Sequence, residues 1–336
     1  MSFLDQIVSA GEIPAADAHV KLMVQGRSGS GKTTLGAKMP DPVILLTEAN
    51  GLTSIRAANP DALVIRVYDP TAYGLKTPFE VLTQGMNLAV TRAFDAKGRR
   101  SVVADSATEI QRIIKEQILR EKGVLADPAY LFTQQDWGLL TERTRRWARV
   151  FRDLPYHTLM ITLSHEERDE ETGKVSLISP SFEGRKLPQE ILQFCSAGGF
   201  CFKRPVKVDG QPDDVAHEVL FQGPSMYVVK PVVPLRNIEH SDPSEWIERI
   251  VNFKRGDAQL PPLNAPPKPA AVVPPVTETT GESTEPAATS ASTEKPAAVD
   301  APAQAAPAAS TPPVTAAPTR RSAPKKTAEI DPTLSS

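Results

Sequence analysis

Over the first three quarters of the chain, short apolar runs alternate with longer amphipathic stretches. The runs at 19–25, 42–47, 62–67, 101–105, 157–163 and 197–203 read as strands. Their hydrophobicity is nearly continuous, as a parallel sheet buried on both faces requires. The intervening spacing predicts helices at 32–39, 78–94, 106–122, 134–152 and 243–253. Asp105-Ser106 offers an N-cap for the third helix, and Pro155 marks the break after the fourth. The segment 215–230, VAHEVLFQGPSMYVVK, predicts two strands folded about Gly223-Pro224. Within it, EVLFQGP coincides with the recognition sequence of a picornaviral protease, but the strand pattern continues smoothly into Tyr227-Val228-Val229-Lys230. The whole implies an α/β fold: a mostly parallel sheet flanked by helices, with a C-terminal antiparallel hairpin. No internal repeat is visible.

From about Leu260 the composition changes to Pro, Ala, Thr and Ser, and aromatic residues stop after Phe253. Such a segment cannot bury enough apolar area to offset chain entropy. The expected organisation is an N-terminal helical segment at 1–17, a folded domain at 18–255 and a disordered tail at 256–336. The tail reads either as a solubilising tether or as a partner-binding or DNA-touching arm. With 38 basic and 40 acidic residues the net charge is -2, which argues against coating nucleic acid by bulk charge but leaves room for a local basic groove. Cys195 and Cys201 are too few for a disulfide framework and fit no zinc spacing. The N-terminus lacks the pattern of a signal peptide, and no apolar stretch approaches the roughly 20 residues that span a bilayer. The expectation is a soluble, cytoplasmic protein with no membrane contact.

The chemistry begins at Gly26-Arg27-Ser28-Gly29-Ser30-Gly31-Lys32-Thr33, which matches G-x-x-x-x-G-K-[ST] between a predicted strand and a predicted helix. Glycines let successive backbone N–H groups point at one anion. Lys32 supplies a mobile positive charge for the β- and γ-phosphates, and the Thr33 hydroxyl can ligate Mg²⁺. The candidate binding set is residues 26–33 together with Thr34. A phosphate cradle needs a second acid, and Asp105, ending the apolar strand Ser101-Val102-Val103-Ala104, can hold Mg²⁺ with Thr33. Glu48 follows the strand after the first helix, where it can polarise an attacking water; the alternative is a helix cap or a solvated carboxylate. Ser164 and His165 end a further strand, within reach of a γ-phosphate, although an ordinary surface histidine fits equally.

The order of these elements resembles the RecA-like P-loop ATPase core. It is more narrowly similar to bacteriophage nucleotide-binding proteins of the Sak (AAA) type, linked to single-strand annealing and recombination. The segments that carry the resemblance are LMVQGRSGSGKTTL, VILLTEANGL, SVVADSATEI, QQDWGLLTERTRRWARVFRDLP, LMITLSHEERDEETGK and SFEGRKLPQEI. The resemblance implies an ATPase using ATP and Mg²⁺, with Glu48 as catalytic glutamate and Asp105 as the Walker-B acid. His165 stands where such proteins keep a polar γ-phosphate sensor, usually glutamine. Lys230 looks like the basic residue presented near a nucleotide, sometimes a neighbour's, with Lys203 and Arg204 as rivals. The implied partners are single-stranded DNA, further copies of the chain in a ring or filament, and a single-strand-binding or replication protein reached through the tail. The implied location is the host cytoplasm if the chain is phage-encoded.

For DNA contact, the loop Glu166-Glu167-Arg168-Asp169-Glu170-Glu171 is too acidic and reads as a hairpin tip. Arg143, Arg145, Arg146, Arg149 and Arg152, on the helix with Trp137 and Trp147, are the better candidates; a solvated basic face over core tryptophans is the other reading. Arg185 and Lys186 form a smaller basic site. Two other functions remain open. A small-molecule or nucleotide kinase would need an Arg-rich lid, for which only TERTRRWARVFRD qualifies. A nucleotide-bound scaffold would recruit partners through the tail. A GTPase is disfavoured because there is no N-K-x-D signature.

Overall fold

The computed structural model describes residues 19–206 and 214–253; the expected N-terminal helix and the tail lie outside the described residues. β1 (Lys21–Gly26) leads through α1 (Lys32–Ala37) to β2 (Pro42–Leu46), α2 (Gly51–Ala58) and β3 (Leu63–Arg66). α3 (Pro78–Val90) returns the chain to β4 (Ser101–Asp105), and α4 (Ala107–Glu121) and α5 (Gln134–Arg152) lead on to β5 (His157–Arg168). Then come β6 (Val175–Pro180), α6 (Leu187–Phe194), β7 (Ala197–Val206), β8 (Asp214–Leu220), β9 (Ile238–His240) and α7 (Pro243–Asn252). The strand order is β3-β2-β4-β5-β1-β7-β8-β9, with β6 paired to the far half of β5. The first six strands in that order run parallel, and β8 turns back against β7. This is the expected α/β architecture.

Each central strand sends alternate side chains to opposite layers. Met23, Val43, Leu45, Val102, Ala104 and Met160 pack under α3 to α6. Leu22, Val24, Ile44, Leu46, Val103, Leu159 and Ile161 pack under α1, α2 and α7. Both faces are covered, which is why these strands read as unbroken apolar runs. Trp147 and Phe151 of α5 stack with ring centroids 5.3 Å apart, and Phe221 meets Trp246 of α7 edge-on. Thr133 and Asp136 form a capping box at the start of α5. Asp136 is 1% exposed and also accepts from Tyr130 and Lys122, so its carboxyl is held far below the usual range, first by Lys122. Among the described residues no helix is long and apolar enough to cross a membrane.

The differences from the sequence reading have local causes. α2 and α6 are short helices that were not predicted: α2 buries only Ile55 on its face, and α6 carries Pro188 in its first turn, where proline is tolerated but reads as a breaker. β5 runs on past Leu163 through polar residues because β6 pairs with it, and the acidic stretch after His165 lies in the hairpin that was expected there. The hairpin expected about Gly223-Pro224 is replaced by one between β7 and β8. Residues 226–230 do not return along β8. They cross the sheet end, where Val228 N–H donates to Ile178 O, Val228 O accepts from Gln25 Nε2 (2.7 Å), and Lys230 bridges Gly198.

α1 lies directly on the sheet because Gly36 has no side chain: a Cβ there would stand 2.9 Å from Ile161 Cδ1 and 3.1 Å from Val103 Cγ1. Gly36→Val should therefore lift the helix and destabilise the fold by about 1–3 kcal/mol, the usual range for overpacking, read as a lower urea midpoint with an unchanged slope.

Candidate active site

The carboxyl ends of the parallel strands carry the candidate chemistry, as expected for an open α/β sheet. β1 ends at Gly26, and the loop 27–31 turns over it into α1 with Gly29 at φ 74° and Gly31 at φ 92°, conformations that favour glycine. Lys32, 8% exposed, donates from Nζ to Gly26 O (2.8 Å) and Arg27 O (2.7 Å); burial pushes its ammonium below the usual lysine range.

A cavity of about 470 Å³ opens beside this loop. Ser28, Gly29, Gly31, Lys32, Thr33 and Thr34 form its loop wall, and Glu48 and Asp105 reach it from the ends of β2 and β4. Asp105, 8% exposed, accepts a hydrogen bond from the Thr33 side chain. Burial pushes its carboxyl above the usual range, with nearby Glu48 adding to that, while Thr33 and Lys32 pull the other way. The residue that sets Asp105 beside Glu48 is Thr47. Its N–H donates to Asp105 O (2.8 Å), its hydroxyl donates to the same oxygen (3.0 Å), and that hydroxyl accepts from Ser106 N–H (2.9 Å). Ser106 in turn caps α4.

The structure thus gathers Lys32, Thr33, Thr34, Glu48 and Asp105 around one cavity. Other candidates stand elsewhere. Arg27 turns to the opposite side of the loop and forms an ion pair with Glu166. Arg27 and Ser30 line a second cavity of about 420 Å³, walled by Phe200, Phe202, Tyr227, Ile178 and Lys203. His165 is exposed, on the same face of β5 as Leu163, which lines the first cavity two residues earlier. Lys230 lies at the end of α6, donating to Gln193 O (3.1 Å) and Cys195 O (2.5 Å), and does not line its own chain's cavity. Of its rivals, Arg204 forks onto buried Glu218 at 2.9 and 2.7 Å, whereas Lys203 lines both cavities.

The α5 arginines are largely committed. Arg143 pairs with Glu121, Arg145 with Glu142 and Glu190, and Arg152 with Asp153. Arg149 and Arg152 also stack on Phe194, and Trp147 is buried, so the core reading of this helix fits the contacts better than a DNA-binding stripe.

The sequence does not announce Thr47, which holds Asp105 from behind, or Arg112 and His217, which line the cavity. Arg112 stands one turn after Thr108 on the face of α4 that meets the cavity, a spacing the sequence carried. His217 comes from β8, and nothing in the local sequence marks it.

Thr47→Val keeps the shape but leaves Ser106 N–H without its acceptor. The expected loss is about 1–3 kcal/mol of stability, the cost of an unsatisfied buried donor, measurable by chemical denaturation.

No curated protein matches the chain. Among solved structures, an ATPase from the type III secretion system of pathogenic bacteria is similar over 56% of this chain and 55% of its own, at 15% identity and a TM-score of 0.33. The chain thus spans about half of that protein's length. A family profile described as an AAA domain matches residues 18–228, more than half of the chain, and with the phosphate-loop cavity described above it shows that this protein belongs to that family of P-loop ATPases.

Proposed function

We propose that the protein is a magnesium-dependent ATPase acting on single-stranded DNA in recombination, annealing or replication, as the phage proteins it resembles do, and that it works as a homo-oligomer. One observation carries the hydrolytic part: the Thr33 hydroxyl is bonded to Asp105, with Glu48 and Lys32 on the same cavity. Thr33 and Asp105 are hard oxygen donors of the kind Mg²⁺ takes alongside phosphate and water. When bound, Mg²⁺ neutralises charge on the β- and γ-phosphate oxygens. In this reading Asp105 is ionised and its burial cost is offset by the cation. Lys32 holds the phosphate chain in place. Glu48, the exposed carboxylate beside Asp105, accepts the proton of the attacking water. His165 would sense the γ-phosphate from the root of the β5–β6 hairpin. Lys230 would act on a neighbouring subunit's nucleotide, since it lies off its own cavity.

The second cavity supports the DNA reading better than α5 does. Phe200, Phe202 and Tyr227 offer stacking surfaces, with Arg27 and Lys203 at the rim. A kinase lid has no support. The TERTRRWARVFRD segment is part of the continuous helix α5, anchored by Leu140, Trp147, Ala148 and Phe151 in the core.

Steady-state phosphate release should rise when single-stranded DNA is added. No change would remove the DNA role; transfer of phosphate to a nucleoside monophosphate would select a kinase; tight ATP binding without turnover would select a scaffold. Glu48→Gln should lower kcat by about 10²–10⁴-fold, the range for a lost general base, with little change in nucleotide affinity.

Asp105→Asn should separate stability from function. A carboxyl whose folded pKa is raised stabilises the fold only while protonated, and that contribution is lost as pH rises above the usual carboxylate range. The Asn variant should therefore melt higher than wild type at pH 7 in the absence of Mg²⁺, with a flatter pH profile, while losing turnover. A lower melting point would contradict the burial cost assigned to Asp105.

A further inference from the structure

His217 and Lys203 are directly opposite one another across the β7–β8 hairpin, and both line the cavity that holds Lys32, Glu48 and Asp105. Their neighbours in sequence turn away: Arg204 and Glu218 pair with each other on the other face. The hairpin therefore brings one imidazole and one ammonium to the phosphate loop.

The contacts with the loop are close. His217 Nδ1 stands 3.0 Å from Ser30 O. A carbonyl oxygen only accepts, so Nδ1 carries a proton. The ring rests on Gly31, where a Cβ would stand 2.5 Å from Nδ1, so the seat exists only because position 31 is glycine. With Nδ1–H committed to Ser30 O, Nε2 is the polar atom the ring has left; it accepts in the neutral ring and donates only when it too is protonated, and among the described residues it has no hydrogen-bond partner. Lys203 Nζ approaches Gly29, 4.0 Å from where a Cβ would lie. Among the described residues this ammonium has no carboxylate within ion-pair distance.

The sheet order sets which part of a nucleotide these groups would meet. Asp105 and Glu48 enter from β4 and β2, on one side of β1, and mark the γ-phosphate end. His217 and Lys203 enter from β8 and β7, on the other side. We propose that His217, as the imidazolium donating from Nε2, and Lys203 form a clamp on the α- and β-phosphates of the nucleotide held by the same chain. The clamp rests on the ATP-binding reading above and adds to it a contact that the phosphate-loop motif does not include. Two donors of different strand origin would then meet the phosphates from the β7–β8 side of the loop. It acts on diphosphate and triphosphate alike, so it is a positioning device and not a γ-phosphate sensor.

Two substitutions split the ring's functions. His217→Asn keeps a donor near the Nδ1 position, facing Ser30 O, and removes Nε2. His217→Gln keeps a donor near the Nε2 position and removes the one facing Ser30. Titrating the full chain with fluorescent ADP and ATP should show His217→Asn weakened about 10-fold for both nucleotides, as expected when a hydrogen bond to a charged group is lost, and His217→Gln within about 3-fold of wild type. Lys203→Met should also weaken both, and as an exposed position it reads the clamp should a His217 variant fail to fold. If His217→Asn binds as well as wild type while His217→Gln does not, the ring only braces the loop and the clamp is refuted. Loss for ATP alone would also refute it, because the contact would then lie at the γ-phosphate. Wild-type protein that binds neither nucleotide would refute the ATP-binding reading itself, an outcome distinct from either.

Discussion

Asp105 sits at the carboxyl end of β4 with 8% of its surface exposed, and burial disfavours its charge. The position is tenable because hydrogen bonds reach it from two elements, and the residue that follows it opens a third. Thr33 on α1 bonds the carboxylate, Thr47 after β2 bonds the backbone oxygen twice, and Ser106 begins α4 from the next peptide. α1, β2 and α4 are thereby registered on one residue. The parallel sheet supplies the rest of the constraint: Leu46 pairs with Asp105 in the β2–β4 ladder, so the acid and the residues following β2 must emerge side by side. Glu48 stands next to Asp105 as a consequence of strand pairing, although the two are far apart in sequence.

The phosphate loop is a wall shared by two cavities. Lys32 and Thr33 face one; Arg27 and Ser30 face the other; Ser28 and Gly29 border both. Arg27 ties the loop to β5 through Glu166, and His217 ties it to β8 through Ser30 O. The loop is thus braced from both sides by strands that follow it late in the chain. Such bracing matters for a segment whose backbone must hold left-handed conformations at Gly29 and Gly31. It also gives a physical route by which events in the aromatic cavity and in the nucleotide cavity act on the same few peptide groups.

Much of the fold was legible because its signals are local. Strands buried on both faces read as apolar runs, and helices α3, α4 and α5 carry their own caps at Thr77, Ser106 and Thr133. The loop motif, Asp105 and Glu48 were legible for the same reason: each is defined by its place at a strand end. What failed depended on partners distant in sequence. The segment 225–230 has the composition of a strand, but its hydrogen bonds go to Ile178, Gln25 and Gly198, so it never pairs along β8. The arginines of α5 looked free in sequence; Glu121 and Glu190, on other helices, hold two of them.

By itself, then, the chain of residues determined the α/β class, the phosphate loop and the two acids at strand ends, because hydrophobic period, glycine placement and capping act within a few residues. Tertiary structure alone decided that Thr47 would orient Asp105, that Arg27 would face away from the nucleotide cavity, and that His217 and Lys203 would meet the loop from the other side. Those outcomes follow from strand order and register, which are set by the packing of the whole sheet and leave no mark at the residues themselves.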